Sequence, residues 1–199
     1  MIDNSLNIPI LHKECFSENG KNHIKILNKE VERIIEINPD CWGYLTTPQD
    51  TWSSYPINKD VLFNNDVFEN VSYLIKDVIL QYAMALKCNT NTHQVHLLDS
   101  TIYVSYSNPK SNFISDNSQH FVGYLFLSAD DSAGNIIVKN PISPRKNFYH
   151  NGDSPLREYL IKEVTTGDVV ILPSHIEHKM ADFNNGSELR MVEFNITIA

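Results

Sequence analysis

The sequence has little of what marks a secreted, membrane-spanning or disulfide-stabilised protein. Its three cysteines, Cys15, Cys41 and Cys88, are widely spaced and form no CxxC pair, a usage typical of a reducing compartment. No apolar run approaches the roughly 20 residues that a membrane span needs. The N-terminus lacks the basic region and the apolar stretch of a signal peptide. We therefore expect a cytoplasmic protein.

Positive charge is also scarce. Lysine and arginine together number 16 against 24 aspartate and glutamate residues, which gives a formal net charge of -8. Because the basic surface of a nucleic-acid-binding protein is missing, neither a nucleic acid nor a membrane is expected as a partner. Only four of the cations are arginines, so each arginine is the more informative.

The composition is that of a globular protein. Of the 199 residues, 42% are apolar and 20% are charged, which predicts one domain over residues 1–199. From residue 92 onward about seven short strand-like runs follow one another, separated by turn residues. We therefore predict a mainly β fold with flanking helices. Helical support over about 20–90 should pack outside an antiparallel sandwich or barrel formed by about 92–199.

Two helices and one long loop complete this prediction. Apolar residues recur with helical spacing in 23–37 and in about 66–86. Asp66 and Glu69 have the spacing of a capping box, which places the second helix start at Asp66. The longest irregular stretch, 141–157, is rich in proline, asparagine and glycine. Both a lid or binding loop and a disordered insertion fit its length.

Arg190 lies in the last strand-like run, LRMVEFNITI. Alternation places it on the same side as Val192, Phe194 and Ile196, a side that otherwise has the composition of a core. A buried guanidinium needs an anionic partner, and its planar fork matches a carboxylate. Three interpretations stay open: an internal acid such as Asp168 pairs with Arg190, the side chain extends to solvent at the strand end, or the partner is the carboxylate of a ligand.

Three segments together resemble a known family. They are FVGYLFLS, GDVVILPSHIEH and ELRMVEFNI, in this order. In order and spacing they are similar to the C-terminal half of the double-stranded β-helix (jelly-roll, cupin-like) oxygenases that depend on Fe(II) and 2-oxoglutarate, and most of all to a branch of small bacterial and phage proteins. The resemblance covers roughly residues 100–199. Its matching positions are Gly167, Asp168, Pro173, Ser174, His178, Arg190, Phe194 and Asn195.

The resemblance implies a function and a set of site residues. His178 would be an iron ligand, and Arg190 would hold the far carboxylate of 2-oxoglutarate. Tyr124 is a second candidate for binding the co-substrate. Tyr103, Tyr124 and Phe126 are candidates for lining the cavity. The implied cofactors are Fe(II) and 2-oxoglutarate, and the implied reaction is hydroxylation of a small molecule or a peptidyl side chain.

The metal site departs from the family pattern. Such iron sites use two histidines and one carboxylate. Alignment through Gly123 places the first pair of ligands on Ile114 and Asp116, so the carboxylate is present and the first histidine is isoleucine. His120 can substitute only if a turn at 116–118 brings it close to Asp116, because an extended chain separates the two by about 13 Å. On this hypothesis Asp116, His178 and His120 hold the metal.

Other histidines and a second departure leave the function open. His93 and His96 are further ligand candidates, and Val192 replaces a serine that binds the same carboxylate in relatives. Three hypotheses follow: a 2-oxoglutarate oxygenase with an atypical metal site, a catalytically degenerate β-helix domain that binds a carboxylate ligand or a protein partner, and a metal-dependent oxygenase that does not use 2-oxoglutarate. The substrate and the oligomeric state are not predicted.

Overall fold

The computed structural model describes residues 2–3, 9–16, 21–44, 50–88, 94–106, 112–129, 135–141, 159–181, 183 and 187–199. Of the sequence predictions, His93 and almost all of the loop 141–157 lie outside these residues. Within the described ranges no helix combines the length and the apolarity that a bilayer span requires.

The predicted order, helices first and strands afterwards, is largely confirmed. Three short strands precede or interrupt the helical part and seven form the β core. Within the described ranges the helices are α1 (Lys21–Ile37), α2 (Val61–Asn64) and α3 (Asp66–Ala85), with a 3-10 turn at Pro39–Cys41. The strands are β1 (Ile2–Asp3), β2 (Ile10–Glu14), β3 (Thr51–Ser53), β4 (Val95–Ser105), β5 (Phe121–Ser128), β6 (Ile136–Lys139), β7 (Tyr159–Lys162), β8 (Asp168–Pro173), β9 (His178–Met180) and β10 (Leu189–Ile198).

These strands form two antiparallel sheets that face each other. The major sheet has the order β1-β2-β8-β5-β10-β4-β3, and the minor sheet has the order β7-β6-β9. A buried apolar cluster between the sheets contains Val122 and Phe126 from β5 together with Val138 and Met180 from the minor sheet. The predicted mainly β, double-stranded β-helix fold is therefore confirmed.

The helices cover the opposite face of the major sheet. Leu27 and Val31 of α1 and Ile75 and Val78 of α3 are buried in a second apolar cluster that includes Phe194 of β10. Both faces of the central strands are thus covered, one by helices and the other by the minor sheet. This explains why β5 and β8 are continuous apolar runs rather than alternating ones.

The start of α3 differs from the prediction in one detail. The helix begins at Asp66, but the N-cap is Asn65, whose side chain accepts a hydrogen bond from the Val67 amide at 2.9 Å. Asp66 and Glu69 lie in the first turn, where negative charge is favourable, and do not form the predicted capping box.

Candidate functional site

An inner cavity of about 210 Å³ lies where β5 and β10 of the major sheet face β9 of the minor sheet. The described residues that line it are Ile114, Ser115, Asp116, Gln119, Val122, Tyr124, Ser174, His178, Glu193 and Asn195. They include two carboxylates and one imidazole, and none of them is a lysine or an arginine. The cavity therefore has a polar interior with negative charge.

His178 reaches the cavity because it begins strand β9. It is 2% exposed. Its Nδ1 lies 2.8 Å from the carbonyl oxygen of Ile176, which can only accept, so Nδ1 carries the hydrogen of the neutral ring. Nε2 is then the acceptor, and the hydroxyl oxygen of Tyr124 lies 2.7 Å from it. The ring lone pair that could bind a metal is thus engaged by the Tyr124 hydroxyl.

Tyr124 comes from the other sheet, so this hydrogen bond spans the cavity. It lies in β5 directly opposite Glu193 of β10 and is fully buried. Burial, and to a smaller extent the carboxylate of Glu193, raise the pKa of Tyr124 well above its ordinary value. The hydroxyl therefore keeps its hydrogen and can donate it to His178.

Ile114 is the direct neighbour of His178 across a short antiparallel bridge. The Ile114 amide donates to the His178 carbonyl at 2.8 Å, and the His178 amide donates to the Ile114 carbonyl at 2.9 Å. Residues paired in this way place their side chains on the same side, with Cα atoms about 5.5 Å apart. Ile114 therefore occupies the place beside His178 where the family pattern predicts a second imidazole.

Asp116 lies at the mouth of the same cavity. Its amide donates to the Ser174 carbonyl at 2.8 Å, and its Oδ1 accepts from the Ser118 amide at 2.7 Å, which forms the turn predicted at 116–118. The hydrogen bonds from Ser118 lower the pKa of Asp116, so the side chain is a carboxylate at neutral pH. Asp116 and His178 share one cavity, while their role as metal ligands stays a prediction.

A chain of hydrogen bonds runs along the cavity wall to a third acid. Ser118 Oγ donates to Gln119 Oε1 at 3.0 Å, Gln119 Nε2 donates to Asn195 Oδ1 at 2.7 Å, and Asn195 Nδ2 donates to Asp99 Oδ1 at 2.6 Å. Every donor in this chain points towards Asp99. Burial raises the pKa of Asp99, the hydrogen bond from Asn195 opposes this, and the charges of Glu193 and Asp116 raise it further.

The position of Arg190 contradicts the sequence-based expectation. Its guanidinium lies on the helix-covered side of the major sheet, away from the cavity, where it hydrogen-bonds to the carboxylate of Glu188 and contacts Glu32 at 3.0 Å. It also approaches the Asn28 carbonyl of α1 at 3.4 Å. Burial tends to lower the pKa of Arg190, but the two carboxylates outweigh it and raise the pKa. Val192 faces the same side.

The expected alternation of β10 is present, but the side that carries Arg190 faces the helices and not the cavity. Val192, Phe194 and Ile196 belong to the helix-side cluster. The cavity is lined instead by Glu193 and Asn195, which lie on the opposite side of the strand. The sequence did contain a signal: the other side of β10 also carries apolar residues, so both sides of the strand are covered. The polar residues Glu193 and Asn195 on that side then face the cavity.

The expectation for His120 is not met either. His120 lines a separate outer cleft of about 840 Å³, together with His175, Phe121 and Lys139, and is not among the residues around the inner cavity. Its Nδ1 accepts a hydrogen bond from the Ile198 amide at 3.1 Å, so Nε2 carries the hydrogen of the neutral ring. The turn at 116–118 directs Gln119 towards the cavity in place of His120.

The remaining candidates take more modest positions. His175 is exposed after β8, and His96 is exposed in β4. Tyr103 lies partly buried beside the cluster between the sheets, and Phe126 is fully buried in that cluster. Asp168, the internal acid proposed to pair with Arg190, pairs instead with His12 at 2.8 Å.

The inner cavity does not fit Fe(II) and 2-oxoglutarate in the arrangement that the resemblance implied. The described lining offers the carboxylates of Asp116 and Glu193 but a single histidine, His178, and within the described ranges no three histidine, cysteine, aspartate or glutamate side chains are grouped to hold a metal ion. The dianionic co-substrate needs a cation, whereas the described lining contains carboxylates and no cation.

No protein-family model matches this sequence, and no curated protein matches it. Solved structures do share its fold. HygX from Streptomyces hygroscopicus, with nickel and 2-oxoglutarate bound, is similar with a TM-score of 0.59 and 13% identity, over 94% of this chain and 82% of HygX. AviO1 from Streptomyces viridochromogenes is similar with a TM-score of 0.60 and 15% identity, over 99% and 96%.

A Pseudomonas putida prolyl-4-hydroxylase is similar with a TM-score of 0.58 and 10% identity, over 98% of this chain and 95% of that enzyme. Of these structures, that of HygX contains 2-oxoglutarate, and that from Pseudomonas putida is a prolyl-4-hydroxylase. The fold that the predicted resemblance implied is therefore confirmed. The activity and the substrate do not follow from similarity at 10 to 15% identity.

Proposed function

We propose that this chain is a ligand-binding domain built on the oxygenase fold, with the inner cavity as its binding site and without iron chemistry. One observation carries the proposal: the Nε2 of buried His178 accepts a hydrogen bond from Tyr124 at 2.7 Å. The only imidazole among the described lining residues is therefore engaged within the protein. Ile114 beside it supplies no second ligand.

The charge of the cavity narrows the class of ligand. Asp116 and Glu193 line it, and Asp99 is linked to it through Asn195. A carboxylate ligand would meet like charges in a partly desolvated space, which is unfavourable. A small polar ligand that is uncharged or positively charged avoids this repulsion. The alternative of a carboxylate ligand loses its basis, because Arg190 lies on the other side of the sheet.

Calorimetry with three probes of equal chain length tests this preference. Glutarate, glutaramide and 1,5-diaminopentane share a five-carbon skeleton and differ in charge. We expect 1,5-diaminopentane to bind best and glutarate worst, with the difference reduced in Glu193→Gln. Arg190→Met serves as the matched control, since its side chain does not reach the cavity. Tighter binding of glutarate than of the other two probes would contradict the proposal.

A second candidate function is an oxygenase with an atypical metal site. Asp116 and His178 share the inner cavity, and the similar solved structures include 2-oxoglutarate-dependent enzymes. This candidate requires 2-oxoglutarate binding that depends on Fe(II) and is lost in both His178→Gln and Asp116→Asn. It also requires succinate formation in air. Calorimetry under anaerobic conditions followed by succinate analysis separates the two functions, and the ligand-binding function predicts neither signal.

A further inference from the structure

The deepest polar contact of the cavity is the one between Tyr124 and His178. Tyr124 is fully buried, His178 is 2% exposed, and their ring centroids lie 5.8 Å apart in an edge-to-face arrangement. The two residues come from different sheets, 54 positions apart. A hydrogen bond in this setting is costly to break, because water cannot replace the lost partner.

The surroundings of this contact resemble a metal site in which isoleucine, Ile114, replaces one histidine ligand and the Tyr124 hydroxyl occupies the position of the metal ion. His178 directs its only lone pair into the cavity, and the carboxylate of Asp116 lies at the cavity mouth. Position 114 is paired with His178 by two backbone hydrogen bonds, which fixes its side chain on the same side. An imidazole at position 114 would therefore stand next to that of His178.

We infer that the Tyr124 hydroxyl is an internal plug: it takes the place of a metal ion on His178, and together with Ile114 it keeps the cavity free of divalent metal. This inference deepens the proposed function and rests on it. To bind His178, a metal must displace the Tyr124 hydroxyl and break this buried hydrogen bond. That penalty corresponds to a loss of about ten- to a hundredfold in affinity.

Two substitutions should therefore create a metal site without any change to the rest of the cavity. Tyr124→Phe removes one oxygen and frees the His178 lone pair, and Ile114→His adds the second imidazole. Nickel(II) binding by calorimetry, with cobalt(II) absorption to report ligand number, compares the unaltered chain, each single variant and the double variant. The double variant carrying His178→Gln in addition measures nickel that binds elsewhere, and this signal is subtracted.

We expect negligible binding to the unaltered chain and weak binding to Ile114→His. The double variant should bind about ten- to a hundredfold tighter than Ile114→His. Equal affinities of Ile114→His and the double variant would overturn the plug. So would a double variant that is folded, by its thermal transition, and binds no tighter than the unaltered chain. Nickel binding to the unaltered chain that disappears in His178→Gln would overturn the proposed function as well.

A measurement on the unaltered chain tests the plug without any variant that must fold. Imidazole nitrogen NMR distinguishes the two neutral tautomers of His178. Hydrogen on Nδ1 and a hydrogen-bonded lone pair on Nε2 are expected from the contacts with Ile176 and Tyr124. Hydrogen on Nε2 would mean that Tyr124 accepts instead of donates, and this result would overturn the inference.

Discussion

The two faces of the major sheet differ in how their charged side chains are arranged. On the helix-covered face, Arg190 is matched by two carboxylates, Glu32 and Glu188, and the remaining side chains of β10 are apolar. On the cavity face, Glu193 lies near Asp99 and Asp116, and no described lining residue is a cation. The first face is organised for stability, because its charges are paired and its apolar surface is buried.

The cavity face keeps an unfavourable arrangement that folding alone does not require. Burial, and to a smaller extent the charges of Glu193 and Asp116, raise the pKa of Asp99, which means that ionising Asp99 costs free energy in the folded state. Such costs concentrate where a protein binds or reacts. The contrast between the two faces therefore supports the cavity as the functional region of the molecule.

The largest effect on stability is expected from removing a large side chain from the core of the helix-covered face. The Phe194 ring fills the space above Gly123, where an added Cβ would lie 2.1 Å from a ring carbon. Phe194→Ala should lower the free energy of unfolding by about 3–5 kcal/mol, measured by urea denaturation, because it leaves a cavity in the core. Phe194→Leu is the control with a smaller loss. A cost under about 1 kcal/mol for Phe194→Ala would show that this face tolerates voids.

A smaller effect is expected from Arg190→Met, which leaves Glu188 and Glu32 without their cation. Because the Glu32 side chain is 56% exposed and water replaces part of the interaction, we expect a loss of about 1–2 kcal/mol. Lys139→Met, which breaks the exposed pair with Glu177, should cost less. Probe binding in the cavity should not change. A variant with intact stability and lost ligand binding would return Arg190 to the role that the resemblance implied.

The smallest effect on stability is expected on the cavity face, where a substitution should stabilise the protein. Asp99→Asn retains an oxygen that accepts from Asn195 and removes a charge near Glu193, so it should stabilise the protein at pH 7 by about 0.5 kcal/mol. The folded-state pKa of Asp99 is raised, so its contribution to stability is complete below the unfolded pKa and is lost as the pH rises through the folded pKa. The advantage of Asp99→Asn should therefore grow between about pH 4 and pH 7 in urea titrations. An advantage that shrinks over this range would contradict the shift.

Much of the fold was readable from local patterns. Helical spacing located α1 and α3 to within a few residues, and short strand-like runs between turn residues located most strands of the β core. The placement of His178 at the end of an apolar segment, in the same cavity as Asp116, also followed from the resemblance. The direction of Arg190, the position of His120 and the participation of Glu193 were not predicted.

The sequence by itself determined the class of fold, because the periods of helix and strand depend only on neighbouring residues. Which side of β10 lines the cavity was decided only by the tertiary structure. Both sides of that strand are covered, and alternation shows which residues share a side but not which side lines the cavity. The hydrogen bond from Tyr124 to His178 has the same origin. It joins two sheets across 54 residues, and a contact of that kind exists only once the sheets have packed against each other.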